Sequence, residues 1–247
     1  MGKRAKWWHW LIPVVLVIAL MPLNTNNADL LAEREGMLRA IAESVHDSAG
    51  YTGRSELSDA VMRAMAQVPR EKFVPPAYRQ QAYYNTPLPI GAGQTISQPL
   101  IVALMTDLLA PQADDIILEV GTGSGYQAAV LAQLVKHVYT IEIIPELATG
   151  AAAVLAELGY NNITVRAGDG YAGWPEHAPF DGIIVTAAPE TIPPALLQQL
   201  ADGGKLVIPV GTEHGYQELL LVEVDEAGQI NKRSVLPVRF VPLTGDH

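Results

Sequence analysis

Between residues 116 and 210 the chain alternates short, β-branched apolar runs with longer segments whose apolar positions recur every three or four residues. Ile116–Val120, Val138–Glu142, Ile163–Arg166, Gly182–Thr186 and Lys205–Val210 read as strands, and their unbroken apolar character suits strands buried on both faces. Gln127–Val135, Pro145–Leu158 and Pro193–Leu200 read as the helices between them. The alternation predicts an α/β fold with a doubly wound, mostly parallel sheet and helices on both faces. Between Val210 and Leu219 there is no room for a crossover helix. Glu218–Val224 and Ser234–Val241 are therefore expected to run antiparallel at the C-terminal end, with a turn at Asp225-Glu226-Ala227-Gly228.

Upstream, Leu30, Leu31, Met37, Leu38 and Ile41 fit an amphipathic helix from about Leu30 to Val45, and Leu57, Val61, Met65 and Val68 fit a second. These predict an N-terminal helical cap packed on the sheet. Pro69, Pro75, Pro76, Pro87 and Pro89 impose a long non-helical passage carrying Phe73, Tyr78, Tyr83 and Tyr84. A long ordered passage of this kind is usually functional. It ends in Gly91-Ala92-Gly93-Gln94-Thr95-Ile96-Ser97-Gln98-Pro99 before an apolar helix from about Leu100 to Leu109. There Ser97 is expected as the N-cap, with Pro99 just inside.

The first 28 residues differ from the rest. Lys3, Arg4 and Lys6 precede an apolar run from Trp7 to Leu23, which fits a signal-like or membrane-anchor segment; its length and Pro13 and Pro22 make it a poor full span. A start at Met21 or Met37 would make it an extension. Residues 29–247 are expected to form a single domain, long enough for a large core.

Composition narrows the chemistry. The net charge is −10, and setting aside Lys3, Arg4 and Lys6 reduces 16 basic residues to 13 against 26 acidic ones. A nucleic-acid partner would need a basic footprint that this body lacks. With no cysteine there is no disulfide, thiolate metal site or cysteine nucleophile, and the six histidines have no metal-ligand spacing. No metal is expected.

The strand Ile116–Val120 runs into Gly121-Thr122-Gly123-Ser124-Gly125-Tyr126, the turn through which a buried parallel strand meets a ligand. Glu142, about 20 residues further on, is placed to accept hydrogen bonds from both hydroxyls of a ribose. A nicotinamide dinucleotide is the rival ligand, but Tyr126 stands where its turn needs a small residue. Glycines at alternate positions, preceded by Glu119 and followed by Glu142, suit S-adenosylmethionine. Its amino-acid end would meet the backbone of Gly121, Thr122, Gly123 and Gly125. Asp169-Gly170 would lie near the adenine, although Asp169 also suits a bare turn.

Several motifs together resemble one family. GAGQTIS (Gly91–Ser97), LEVGTGSGYQAA (Leu118–Ala129), Gly168-Asp169-Gly170, FDGIIVTAA (Phe180–Ala188), GKLVIPVG (Gly204–Gly211) and VRFVPLTG (Val238–Gly245) are similar, in this order, to the protein-L-isoaspartate (D-aspartate) O-methyltransferases. The resemblance covers roughly residues 58–245. It implies methyl transfer from S-adenosylmethionine to the abnormal α-carboxyl of L-isoaspartyl residues in damaged proteins, with D-aspartyl residues as a further acceptor. The methyl ester then closes to a succinimide that reopens to aspartate, which begins repair. Ser97 matches the family's functional serine, Thr95 and Ile96 its site neighbours, and Glu142 and Asp169 its cofactor-binding acids. Other readings are a nicotinamide-dinucleotide oxidoreductase or a non-catalytic binding protein on the same fold. The resemblance and the supply of cofactor imply a cytoplasmic body, whereas residues 3–23 suggest membrane association or export.

Overall fold

The computed structural model describes residues 27–225 and 227–245. The expected signal-like or anchor segment lies almost entirely outside these residues. Among those described, no helix is long and apolar enough to cross a membrane.

The chain opens with α1 (Asn27–Asp47), α2 (Ala49–Thr52) and α3 (Asp59–Gln67). The α3 helix starts where Ser58 accepts from the Val61 N–H, an ordinary serine cap. Met37, Ile41 and Val45 of α1 and Val61, Ala64 and Met65 of α3 are buried together with Tyr126, Ala129 and Val130 from further along the chain. The helical cap thus exists, and it packs mainly on two helices that themselves cover the sheet.

The proline-rich passage, expected to be non-helical, contains short helical turns. It forms two 3₁₀ turns, Arg70–Lys72 and Pro76–Gln81, and then a hairpin of β1 (Leu88–Gly91) and β2 (Gln94–Ile96). Phe73 and Tyr83 face the core, whereas Tyr84 is exposed.

Next come α4 (Pro99–Leu109), β3 (Ile116–Val120), α5 (Tyr126–Ala132), β4 (His137–Glu142), α6 (Pro145–Glu157), β5 (Ile163–Ala167), β6 (Phe180–Val185), α7 (Pro194–Gln198), β7 (Leu200–Gly211), β8 (Gln217–Val224) and β9 (Ile230–Val238). The seven-stranded sheet has the order β5-β4-β3-β6-β7-β8-β9. Pairing is parallel from β5 to β7 and antiparallel for β7–β8 and β8–β9. Strand order therefore reverses beside β3, between β4 and β6, and the crevice of an open sheet forms at such a point.

The last strand ends earlier than its pattern suggests. Gln217, buried in β8, accepts from the Phe240 N–H at 2.7 Å and donates to the Phe240 carbonyl at 3.3 Å. This side chain replaces ladder bonds, and β9 stops at Val238. The chain then crosses to the β6 end, where Ala188 donates to Val241 O and accepts from the Leu243 N–H.

Candidate active site

The carboxyl ends of β3, β4 and β6 meet in one cavity. Gly121 donates to Ile141 O at 2.8 Å, and Thr186 donates through its N–H to Val120 O at 2.9 Å. The Thr186 hydroxyl also reaches Gly121 O at 2.5 Å. A Cβ on Gly121 would lie 2.3 Å from that hydroxyl oxygen, and its φ of +97° disfavours any side chain. The glycine thus lets β6 close against the loop.

Glu142 ends β4 and is buried. One carboxylate oxygen accepts from Gly123 N–H at 2.8 Å and the other from Ile144 N–H at 3.0 Å. A carboxylate has about four acceptor sites, so capacity remains for two hydroxyl donors.

Glu119 is fully buried one strand away. The in-register pairing of Glu119 with Thr140 brings the Thr140 hydroxyl to its Oε2 at 2.5 Å, and Thr122 sits 2.6 Å from Thr140 in turn. Oε1 has no hydrogen-bond partner of good geometry. Burial pushes the Glu119 carboxyl up to about 8; the neighbouring Glu142 charge adds to this, and Thr140 opposes it.

The structure brings most of the expected residues to one place. Thr95, Ile96, Ser97, Glu119, Gly121, Thr122, Gly123, Glu142 and Gly170 all line the cavity. Gly125 and Asp169 do not line it. Gly125 opens α5 and faces α6, where a Cβ would touch Ala151 and Leu155. Asp169 turns back to accept from the Tyr171 N–H at 2.9 Å, so its carboxylate shapes the turn that brings Gly170 to the wall. Ser97 is not the N-cap of α4. Pro99 occupies the first helical position, which moves the cap to Gln98, and no side chain caps the helix. The Ser97 hydroxyl makes no hydrogen bond among the described residues.

Other contributors are not among the expected site residues, although Ser124, Thr186 and the tail lie in segments that the sequence motifs mark. Ser124, Gln127, Ile143, Thr186 and the returning tail Val241–Thr244 also line the cavity. Arg70 is fully buried; it donates to Ser97 O at 2.7 Å and to Ala82 O at 2.8 Å, and lies over the Tyr126 ring at 4.7 Å. Tyr126 begins α5 and points into the cap, meeting Phe73 edge-on at 5.6 Å between centroids. A basic residue within a proline-rich passage gave no sign that it would be buried.

A second cavity of about 460 Å³ opens beside the first. The two share Thr95, Ser97, Thr186 and Val241. Among the described residues no cluster of histidine and acidic side chains could hold a metal ion.

The residues present fit a cationic nucleoside ligand. A glycine loop offers backbone groups where a Cβ would collide, Glu142 keeps acceptor capacity, and Glu119 holds an unsatisfied buried oxygen. Sheet order and site define an S-adenosylmethionine-dependent methyltransferase fold.

The sequence profile of the protein-L-isoaspartate(D-aspartate) O-methyltransferases matches residues 51–247. The protein-L-isoaspartate O-methyltransferase 2 of Syntrophobacter fumaroxidans is 58% identical over 216 residues, 87% of this chain and 87% of that one. A solved protein-L-isoaspartate O-methyltransferase superposes with a TM-score of 0.75 at 26% identity, over 86% of this chain and 66% of that chain. A putative protein-L-isoaspartate O-methyltransferase from Plasmodium falciparum, solved with S-adenosyl-L-homocysteine, superposes with a TM-score of 0.65 at 25% identity, over 83% and 97%. The chain belongs to the protein-L-isoaspartate (D-aspartate) O-methyltransferase family.

Proposed function

We propose that this chain transfers the methyl group of S-adenosylmethionine to the free α-carboxylate of L-isoaspartyl residues in damaged proteins, with D-aspartyl residues as a second acceptor class. The observation that carries the reading is the junction of two cavities at Thr95, Ser97, Thr186 and Val241. The acidic first cavity suits a cationic methyl donor, and the second opens towards solvent beside backbone of the returning tail, which suits a peptide of varied sequence. Family membership favours this over a nicotinamide-dinucleotide oxidoreductase.

When bound, S-adenosylmethionine supplies an electrophilic methyl on a positively charged sulfur. Gly121–Ser124 would hold its amino-acid end through the loop backbone, Glu142 would accept the ribose hydroxyls, and Glu119, which burial keeps protonated at neutral pH, would add a polar group beneath the loop. Thr95, Ile96 and Gly170 would shape the walls.

The chain needs no base for this reaction, because an ionised acceptor carboxylate is already a nucleophile. Its task is to align the acceptor and exclude water. Ser97 stands at the junction with its hydroxyl unengaged, ready to donate to the acceptor carboxylate. Arg70 fixes the Ser97 backbone from behind.

Residues 29–247 serve as one methyltransferase domain in this reading, and the catalytic body works in the cytoplasm, where its methyl donor is made. Residues 3–23 would add membrane association, which fractionation of cells and sequencing of the mature N-terminus test.

The decisive functional experiment is methyl incorporation into matched isoaspartyl and aspartyl peptides. Labelling is expected on the isoaspartyl peptide alone, and equal or absent labelling overturns the reading. Ser97→Ala should lower turnover roughly 10- to 100-fold, the range for a lost hydrogen bond to a charged group, with cofactor affinity unchanged. Near-parental turnover in the folded variant would overturn the role of Ser97.

A further inference from the structure

β9 ends at Val238, and the chain is pinned again immediately after the next residue, an arginine. Gln217 holds both backbone groups of Phe240, and Ala188 holds Val241 and Leu243. Arg239, just before this anchored segment, is exposed and lines the second cavity with Ser97, Thr95 and Val241.

Its electrostatic setting is unusual for this molecule. Among the described residues lining the two cavities, Glu119 and Glu142 carry the acidic groups of the first and Arg239 is the sole cation, in the second. Arg239 forms no hydrogen bond or ion pair with any described residue. Acidic residues outnumber basic ones by 26 to 16 in the chain, yet none of the described carboxylates neutralises this guanidinium. The excess negative charge also opposes the approach of an anionic acceptor, so a local cation at the entrance has a distinct effect. A guanidinium fork matches a carboxylate in shape and can donate two parallel hydrogen bonds to it.

We propose that Arg239 pairs with the α-carboxylate of the isoaspartyl acceptor and draws it towards Ser97. The inference rests on the function proposed above. It places opposite charges on the two sides of the reaction: the Glu142 carboxylate beside the cationic donor and a guanidinium at the anionic acceptor. Methylation removes the acceptor's charge, so the ester product loses the ion pair and leaves more readily than the substrate.

Steady-state methylation of a neutral-flanked isoaspartyl peptide, with Arg239→Gln, Arg239→Lys and Arg239→Glu beside the parent, tests this. Arg239→Gln should raise the peptide KM about tenfold, an effect of the order of one charge-assisted hydrogen bond, while kcat changes less than threefold and cofactor affinity stays fixed. Arg239→Lys should recover part of the loss, and Arg239→Glu should exceed it. Added salt should raise the parental KM and leave that of Arg239→Gln nearly flat. A KM within twofold of the parent in folded Arg239→Gln overturns the proposal. So does a loss seen only with peptides carrying an acidic neighbour, which would make that neighbour the partner. No labelling by the parent enzyme overturns the functional reading and this inference with it, whereas a fully active parent with an unaffected Arg239→Gln overturns this inference alone.

Discussion

Arg70 donates through Nη2 to the carbonyl oxygen of Ser97 at 2.7 Å, across 27 residues of chain. The same guanidinium donates through Nε to Ala82 O at 2.8 Å, and its Nη1 has no partner of good geometry. Among the described residues no carboxylate forms an ion pair with it. Glu71, its sequence neighbour, instead accepts from the Tyr83 hydroxyl, which also accepts from Arg34. The cation is held by two carbonyls and the Tyr126 face, so it ties the glycine-loop helix α5 to the strap that carries Ser97.

Removing that tie should slow the reaction without loosening the methyl donor. Arg70→Lys is expected to lower kcat about tenfold with little change in cofactor affinity, because a lysine reaches one carbonyl and leaves Ser97 less well fixed. Arg70→Met should also cost about 2–4 kcal/mol of stability by stranding two buried acceptors. Kinetics and urea unfolding separate the two effects; an unchanged kcat in folded Arg70→Lys would give Arg70 a purely structural role.

Glu142 bridges Gly123 and Ile144 while facing the cavity. Its replacement by alanine frees the loop and removes the ribose acceptor together. Cofactor affinity measured by calorimetry should fall roughly 10- to 100-fold, as expected for hydrogen bonds to a charged group. Peptide KM should change far less.

The raised Glu119 titration predicts a pH dependence with a definite sign. Its folded value is about 8, against an unfolded glutamate near about 4.3. Between those values the folded chain keeps a proton that the unfolded chain has lost. The group's contribution is therefore most favourable below the unfolded value and declines as pH rises through the window, by up to about 1.4 kcal/mol per pH unit. In denaturant unfolding of the ligand-free protein, Glu119→Gln should remove that downward slope. A slope identical to the parent's would contradict the assignment.

Gly121 and Thr186 offer a test of loop closure. Gly121→Ala places a Cβ 2.3 Å from the Thr186 hydroxyl oxygen and strains a φ of +97°. The variant should lose about 2–4 kcal/mol of stability and most cofactor binding. Adding Thr186→Ala should restore part of the stability, since it relieves the collision and leaves the backbone strain. No recovery in thermal unfolding would show that the collision contributes little.

Much of this architecture was legible in local pattern. The run Ile116–Val120 has the bounds expected from its continuous apolar character, and Glu142 stands at the end of its strand. The site was legible where one residue fills a local geometric demand, as Gly121 does. It was less legible where a side chain has competing uses. Asp169 has the composition of a ligand-binding turn and also that of a bare turn, and its Oδ1 accepts from a backbone N–H two residues away. Ser97 has the composition of a helix cap, but Pro99 shifts the cap by one residue, and Ser97 lines the junction instead.

Sequence by itself determined the order of strands and helices, the glycine loop and its acids, and the family, because these depend on short-range periodicity and residue types at fixed spacing. Tertiary structure alone decided the burial of Arg70, the capture of Phe240 by Gln217 and the return of the tail to Ala188. Those contacts join residues far apart in the chain, and their partners are selected by packing and by the requirement that buried polar groups find hydrogen bonds. That requirement brings the first cavity, the second cavity with Arg239, and Ser97 between them side by side.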